Sequence, residues 1–173
     1  TNPKDPWEGF NRKMFAFNSV FDDYLLRPLA VGYRAVTPDL AEQGVDNVFS
    51  NLREITNVFN DILQWKWGQA ANDTTRFVIN TTVGMAGLFD VAGRIGLERN
   101  HGEDFGQTLT ALCVSDGPYL MLPLLGPSTV TRTIGMPLDL DTLPIYQIEN
   151  IAVRNSVVGL RLVAQRAQFL PLE

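Results

Sequence analysis

His101 is the sole histidine of the 173-residue chain and stands in the polar turn Glu98 to Glu103, with Asp104 close behind it. An imidazole, a carboxylate and a hydroxyl from Ser115 or Ser128 are the groups of an acyl hydrolase triad. The local wording does not favour that chemistry. No G-x-S-x-G elbow surrounds either serine, and the three groups would have to be drawn together by the fold alone. Cys113, the one cysteine, excludes an internal disulfide and a multi-cysteine metal site. Flanked by Leu112 and Val114, it reads as a buried, inert thiol. Catalytic use of His101 is therefore not expected, and no metal and no cofactor are assigned.

The formal net charge of −5 and the lack of any Lys/Arg cluster argue against a nucleic-acid partner. No stretch of eighteen apolar residues occurs, so no spanning helix is expected. The uncharged run Phe77 to Phe89 has only thirteen residues, too few to cross roughly 30 Å of hydrocarbon.

The elements follow from spacing. Asp5-Pro6-Trp7-Glu8 carries a helix start signal, and Phe10, Met14, Phe17, Phe21 and Tyr24 form a stripe that Pro28 is expected to end. Phe15 and Leu26 fall opposite that stripe, giving the helix a second apolar patch. Thr37-Pro38-Asp39 repeats the start signal. From Val45 to Gln64 half the circumference is apolar and the other half is amide-rich, with Glu54, Asn57, Asn60 and Asp61 on it. Such a face packs its apolar side on a soluble core, or lies in a bilayer with the amides towards a wet passage. Trp65 and Trp67 suit a headgroup boundary or a core anchor.

Gly68 to Thr82 continues helical, with Ala70, Ala71, Thr74, Phe77, Val78 and Thr81 as the expected packed side. A short helix is read over Leu88 to Ile95. Asp104 should cap a further helix that Gly117-Pro118 stops. Beyond it three prolines in an uncharged stretch to Thr131 imply an apolar, irregular connector that is buried in protein or lines a cavity able to satisfy its carbonyls. Thr129 to Met136 reads as a short helix, Pro137 to Pro144 as a loop, and Pro144 to Leu170 as a final helix with Arg154, Arg161 and Arg166 off its apolar face. The class is all-α, a single domain over residues 1–173, with short irregular apolar connectors.

The segments DPWEGFNRKMFAFN (Asp5 to Asn18), RPLAVGYRAVTP (Arg27 to Pro38), VFSNLREITNVFNDILQWK (Val48 to Lys66), RFVINTTVGMAGLFDVA (Arg76 to Ala92) and EDFGQTL with GPYLMLPLLGPS (Glu103 to Ser128) carry a resemblance. In that order they resemble the MlaA (VacJ) family of outer-membrane lipoproteins. The resemblance implies helices arranged as a ring around a central amphipathic channel, seated in the inner leaflet of the outer membrane. It implies retrograde transport of phospholipid that maintains outer-membrane lipid asymmetry, beside a trimeric porin of the OmpC/OmpF type and with a periplasmic carrier, MlaC. It further implies a lipidated N-terminal segment and a C-terminal extension, neither of which is in this sequence.

On that reading the candidate lipid passage is lined by Asn57, Asn60, Asp61, Asp104, Gln107 and Tyr119. Gly84, Gly87, Pro118, Pro123, Gly126 and Pro127 shape the backbone. Phe10, Phe17, Phe21, Trp65 and Trp67 face the membrane. A soluble periplasmic lipid-binding carrier or adaptor is the competing reading, and an acyl hydrolase the third.

Overall fold

A computed structural model describes residues 5–99 and 102–172; His101, on which the triad reading depends, lies outside them. Eight α-helices and one small hairpin make up the described chain: α1 (Glu8–Phe21), α2 (Arg27–Val36), α3 (Asp39–Leu63), α4 (Trp67–Thr82), α5 (Val91–Arg94), α6 (Phe105–Ala111), β1 (Tyr119–Leu122), β2 (Gly126–Thr129), α7 (Val130–Thr142) and α8 (Ile151–Phe169). The all-α reading holds, with the hairpin as a local addition.

Several boundaries differ from the sequence reading. Asp5 does not cap α1; its Oδ1 accepts from Asn11 Nδ2 at 2.7 Å, and the helix begins at Glu8. Pro28 does not end the first helix. A single π-helical stretch, Asp22–Leu26, joins α1 to α2, and Pro28 falls in the first turn of α2, where a missing N–H costs least. Pro137 lies inside α7 rather than opening a loop, at a position that has no N–H to give to the helix ladder.

The proline-broken connector is a hairpin, with Tyr119 opposite Thr129 and Leu122 opposite Gly126. Leu124 and Gly126 take φ of 66° and 83° at its tip, the left-handed backbone a tight reversal needs. Its open edge is covered by α1. Asn11 receives the Met121 amide at 2.8 Å and donates to the Tyr119 carbonyl at 3.2 Å. Two turns on, Asn18 receives the Leu124 amide at 2.7 Å and donates to the Leu122 carbonyl at 2.9 Å. Two asparagines thus stand in for a third strand, which accounts for the amides on the face of α1 turned to the hairpin.

Packing closes a circuit. The helix α1 lies on β1, β1 pairs with β2, β2 leads into α7, and the short helical turn Pro144–Gln147 joins α7 to α8. The circuit returns where α8 meets the π-helical stretch, and there Arg166 grips Asp22 with two bonds of 2.7 and 2.9 Å. The long helix α3 touches α4, α6, α7 and α8.

Polarity runs inside out. The largest fully buried side chains are Arg76, Glu54, Asn60, Thr108, Asp61 and Asp73, while Phe10, Phe15, Phe17, Leu40, Phe59, Ile62, Trp65 and Trp67 are exposed. This corrects three expectations. The apolar half of α3 does not pack on a core; its amide-rich half does. The packed side of α4 is Ala70, Asp73, Arg76 and Asn80 instead of the Phe77–Val78 face. Leu112, Val114, Leu124 and Leu125 are exposed, and so is Cys113. In water that arrangement would strand apolar surface; against acyl chains it is favourable, because only polar groups then need protein partners.

Candidate functional site: a polar seam and the cavity beside it

The seam between α3 and α4 is built on Arg76. Its Nε donates to Glu54 Oε1 at 3.1 Å, its Nη2 reaches both Asp90 oxygens at 3.1 and 3.2 Å, and Nη1 donates to the Leu97 carbonyl. Asp90 also caps α5 through the Gly93 amide and accepts from Asn80. Burial alone would raise the Asp90 carboxyl, yet those donors and the Arg76 charge bring it below its ordinary value. Glu54 in turn accepts from Asn57 at 3.0 Å, and Asn57 accepts the Glu103 amide at 3.0 Å.

A second run of bonds ties α3 to α6 and α7. Asn60 donates to Asp139 and to the Thr56 carbonyl, and accepts from Thr108 Oγ1 at 2.7 Å. Asp139 receives the Phe105 amide on both oxygens, at 2.9 and 3.0 Å. Gln64 and Lys66 hold Glu103, Lys66 at 2.8 Å. Asp61 is fully buried and its carboxyl accepts no hydrogen bond among the described residues. Burial, then Asp73 and Glu103, push its carboxyl up to about 6 against the pull of Lys66.

The candidate passage residues therefore divide. Asn57, Asn60 and Asp61 share the packed seam; Asn57 alone of them also borders a polar cavity of about 250 Å³ with Arg53, Arg99 and Gln168. Asp104 caps α6 through the Gln107 amide and borders a cavity of about 320 Å³, while Gln107 bonds Asp104 and the Gly102 carbonyl. Tyr119 lines a separate hollow beside Asn11 and Phe15.

Of the candidate shaping residues, Gly87 has φ of 91°, and a Cβ on it would meet Asn51 at 2.9 Å. Gly84 has no room for one at all, with the Phe89 carbonyl oxygen 2.3 Å away. Pro118 precedes β1, Pro123 opens the hairpin turn, and Gly126 and Pro127 begin β2. Of the candidate membrane-facing residues, Phe21 is half-buried and stacks on exposed Phe17 at 6.4 Å between ring centroids, and Trp65 meets Trp67 edge-on at 5.7 Å.

The 320 Å³ cavity was not read from the sequence. Leu125 of the hairpin tip, Met136 and Leu140 of α7, and Arg161 and Leu162 of α8 line it, with Arg53 of α3. The only signal for it was the position of Arg161 off the apolar face of the last helix.

The MlaA lipoprotein family model matches residues 3–173. The chain is 43% identical over 129 residues to the intermembrane phospholipid transport system lipoprotein MlaA of Escherichia coli (strain K12), covering 73% of this chain and 51% of that protein. For the protein of the same description from Haemophilus influenzae the values are 32% over 139 residues, 78% and 55%. An uncharacterised protein of Rickettsia felis is 47% identical over 122 residues, 70% of this chain and 48% of that one. The chain spans about half the length of the curated relatives it matches. A solved structure described as the structural basis for maintenance of bacterial outer membrane lipid asymmetry superposes with a TM-score of 0.84 at 38% identity, over 98% of this chain and 86% of that one.

Proposed function

The chain belongs to the MlaA lipoprotein family, and from that premise we propose that it is the outer-membrane component of a retrograde phospholipid transport system. In this reading it removes mislocalised phospholipids from the outer leaflet and so maintains lipid asymmetry. No bond is made or broken; the work is partition of a headgroup into a polar-lined space while the tails remain in hydrocarbon.

The observation that supports this is the inverted polarity. Buried Arg76, Glu54, Asn60 and Asp61 within, and exposed Phe10, Phe17, Phe59 and Trp65 without, suit a protein whose surroundings are acyl chains. Among the described residues no helix is long and apolar enough to cross a membrane. A flat helix is about 10 Å across, and one leaflet is half of a roughly 30 Å hydrocarbon core. Helices lying flat therefore fit one leaflet without spanning two.

A seat in the inner leaflet of the outer membrane, a lipid anchor, a trimeric porin neighbour and hand-over to a periplasmic carrier such as MlaC complete the proposal. Purification from the native membrane tests it. The protein is expected to need detergent or lipid to stay monodisperse, and to bring phospholipid and porin with it. A stable monomer in plain buffer, without lipid, overturns the reading in favour of a soluble carrier.

A further inference from the structure

Arg161 belongs to α8. Half-buried in the wall of the 320 Å³ cavity, its guanidinium makes no hydrogen bond or ion pair among the described residues. Burial and the like charge of Arg53 push it below its ordinary value, and only Tyr146 opposes them. The carboxylates of the same wall are engaged elsewhere. Glu103 is held by Lys66 and Gln64, Asp139 by the Phe105 amide and Asn60, and Asp104 by the Gln107 amide. A desolvated cation without a counter-ion is costly, and an arriving anion removes that cost.

We propose that this cavity is a phosphate subsite for a glycerophospholipid, with Arg161 and Arg53 taking the phosphodiester and Leu125, Met136, Leu140 and Leu162 taking the first carbons of the acyl chains. The guanidinium fork matches phosphate oxygens two at a time. The apolar wall selects against free phosphate, which carries no hydrocarbon to cover it. The volume lies near the low end of roughly 300–1,000 Å³ for ligand pockets, so the site holds the glycerophosphate end and leaves the tails in the leaflet. The assignment rests on the transport reading above and gives it a place in the molecule.

Native mass spectrometry of the detergent-solubilised protein tests it with three probes: dioleoyl phosphatidylglycerol, dioleoylglycerol and inorganic phosphate. The phospholipid should bind roughly ten- to a hundredfold more tightly than dioleoylglycerol, and excess inorganic phosphate should not displace it. Arg161→Gln should abolish that preference and Arg161→Lys should retain part of it. Full preference in a folded Arg161→Gln protein overturns the site but leaves lipid transport standing. Displacement by inorganic phosphate overturns the lipid assignment in favour of a free-anion site. If no form binds either lipid, the site and the transport reading fall together. Should Arg161→Gln not fold, Val158, which lines the same cavity, offers a second variant: Val158→Trp fills the cavity with Arg161 intact, and phospholipid bound undiminished by it overturns the site.

Discussion

Arg76 and Glu54 meet at 3.1 Å across the seam of α3 and α4 with 1% and 2% of their side chains accessible. Removing one member of such a pair leaves the other as a buried charge. Arg76→Met strands Glu54 and Asp90 together and should destabilise the protein by about 3–5 kcal/mol, read by denaturant unfolding in detergent. Adding Glu54→Met should return part of the loss, since the orphaned charge goes with its partner. A single-variant loss below about 1 kcal/mol, the range of exposed pairs, would show that the seam does not depend on this bridge.

Asp61 makes stability depend on pH in the less familiar direction. Its carboxyl loses its proton at about 6 in the folded chain instead of the ordinary 3.8. Between those values the folded chain holds a proton that the unfolded chain has released, so stability is greatest at the acid end and falls as pH rises from about 4 to about 6. Asp61→Asn should flatten that decline and stabilise the protein at neutral pH by about 1–2 kcal/mol. Unfolding free energies across the window, wild type against variant, check it; parallel curves would refute it.

The helices were legible where residue spacing alone decides. The bodies of α3 and α4 follow from the helical period, and the start of α3 from Pro38-Asp39. Which face would be buried was not legible, because the period shows that two faces differ and does not say what solvent each meets. Glu54, Asn57 and Asn60 read as a wet surface of α3 and are the packed one. The hairpin escaped for another reason. Strands of four residues are too short to show alternation, and their outer edge is completed by Asn11 and Asn18, more than a hundred positions away. Arg161 was visible as a residue off its stripe, but its lack of a partner is a property of the assembled wall.

Trp7, Trp65 and Trp67 are the three tryptophans of the chain, and all are exposed. If the apolar exterior sits among acyl chains, their fluorescence should shift to the blue on adding vesicles and be quenched by lipids brominated on the tails. Replacing Trp65 and Trp67 by Phe isolates Trp7 and shows which end lies deeper. Emission unchanged by vesicles in all forms would place these rings in water.

Gly106 and Gly159 sit in helices but face different surroundings. A Cβ on Gly106 would lie 2.5 Å from Arg132 Cγ and 2.6 Å from Arg132 Cα, where α6 crosses α7, whereas a Cβ on Gly159 of α8 meets nothing within 4 Å. Backbone cannot yield as a flexible side-chain end can, so Gly106→Ala forces α6 and α7 apart and should cost about 1–3 kcal/mol. Gly159→Ala only trims the freedom of the unfolded chain and should stabilise by about 0.5–1 kcal/mol. Because α6 carries Thr108 and Gln107, Gly106→Ala should also loosen the Asn60–Thr108 bond, read as faster amide exchange at Phe105 and Thr108. Equal effects from the two substitutions would mean that the α6–α7 crossing has slack that its close approach denies.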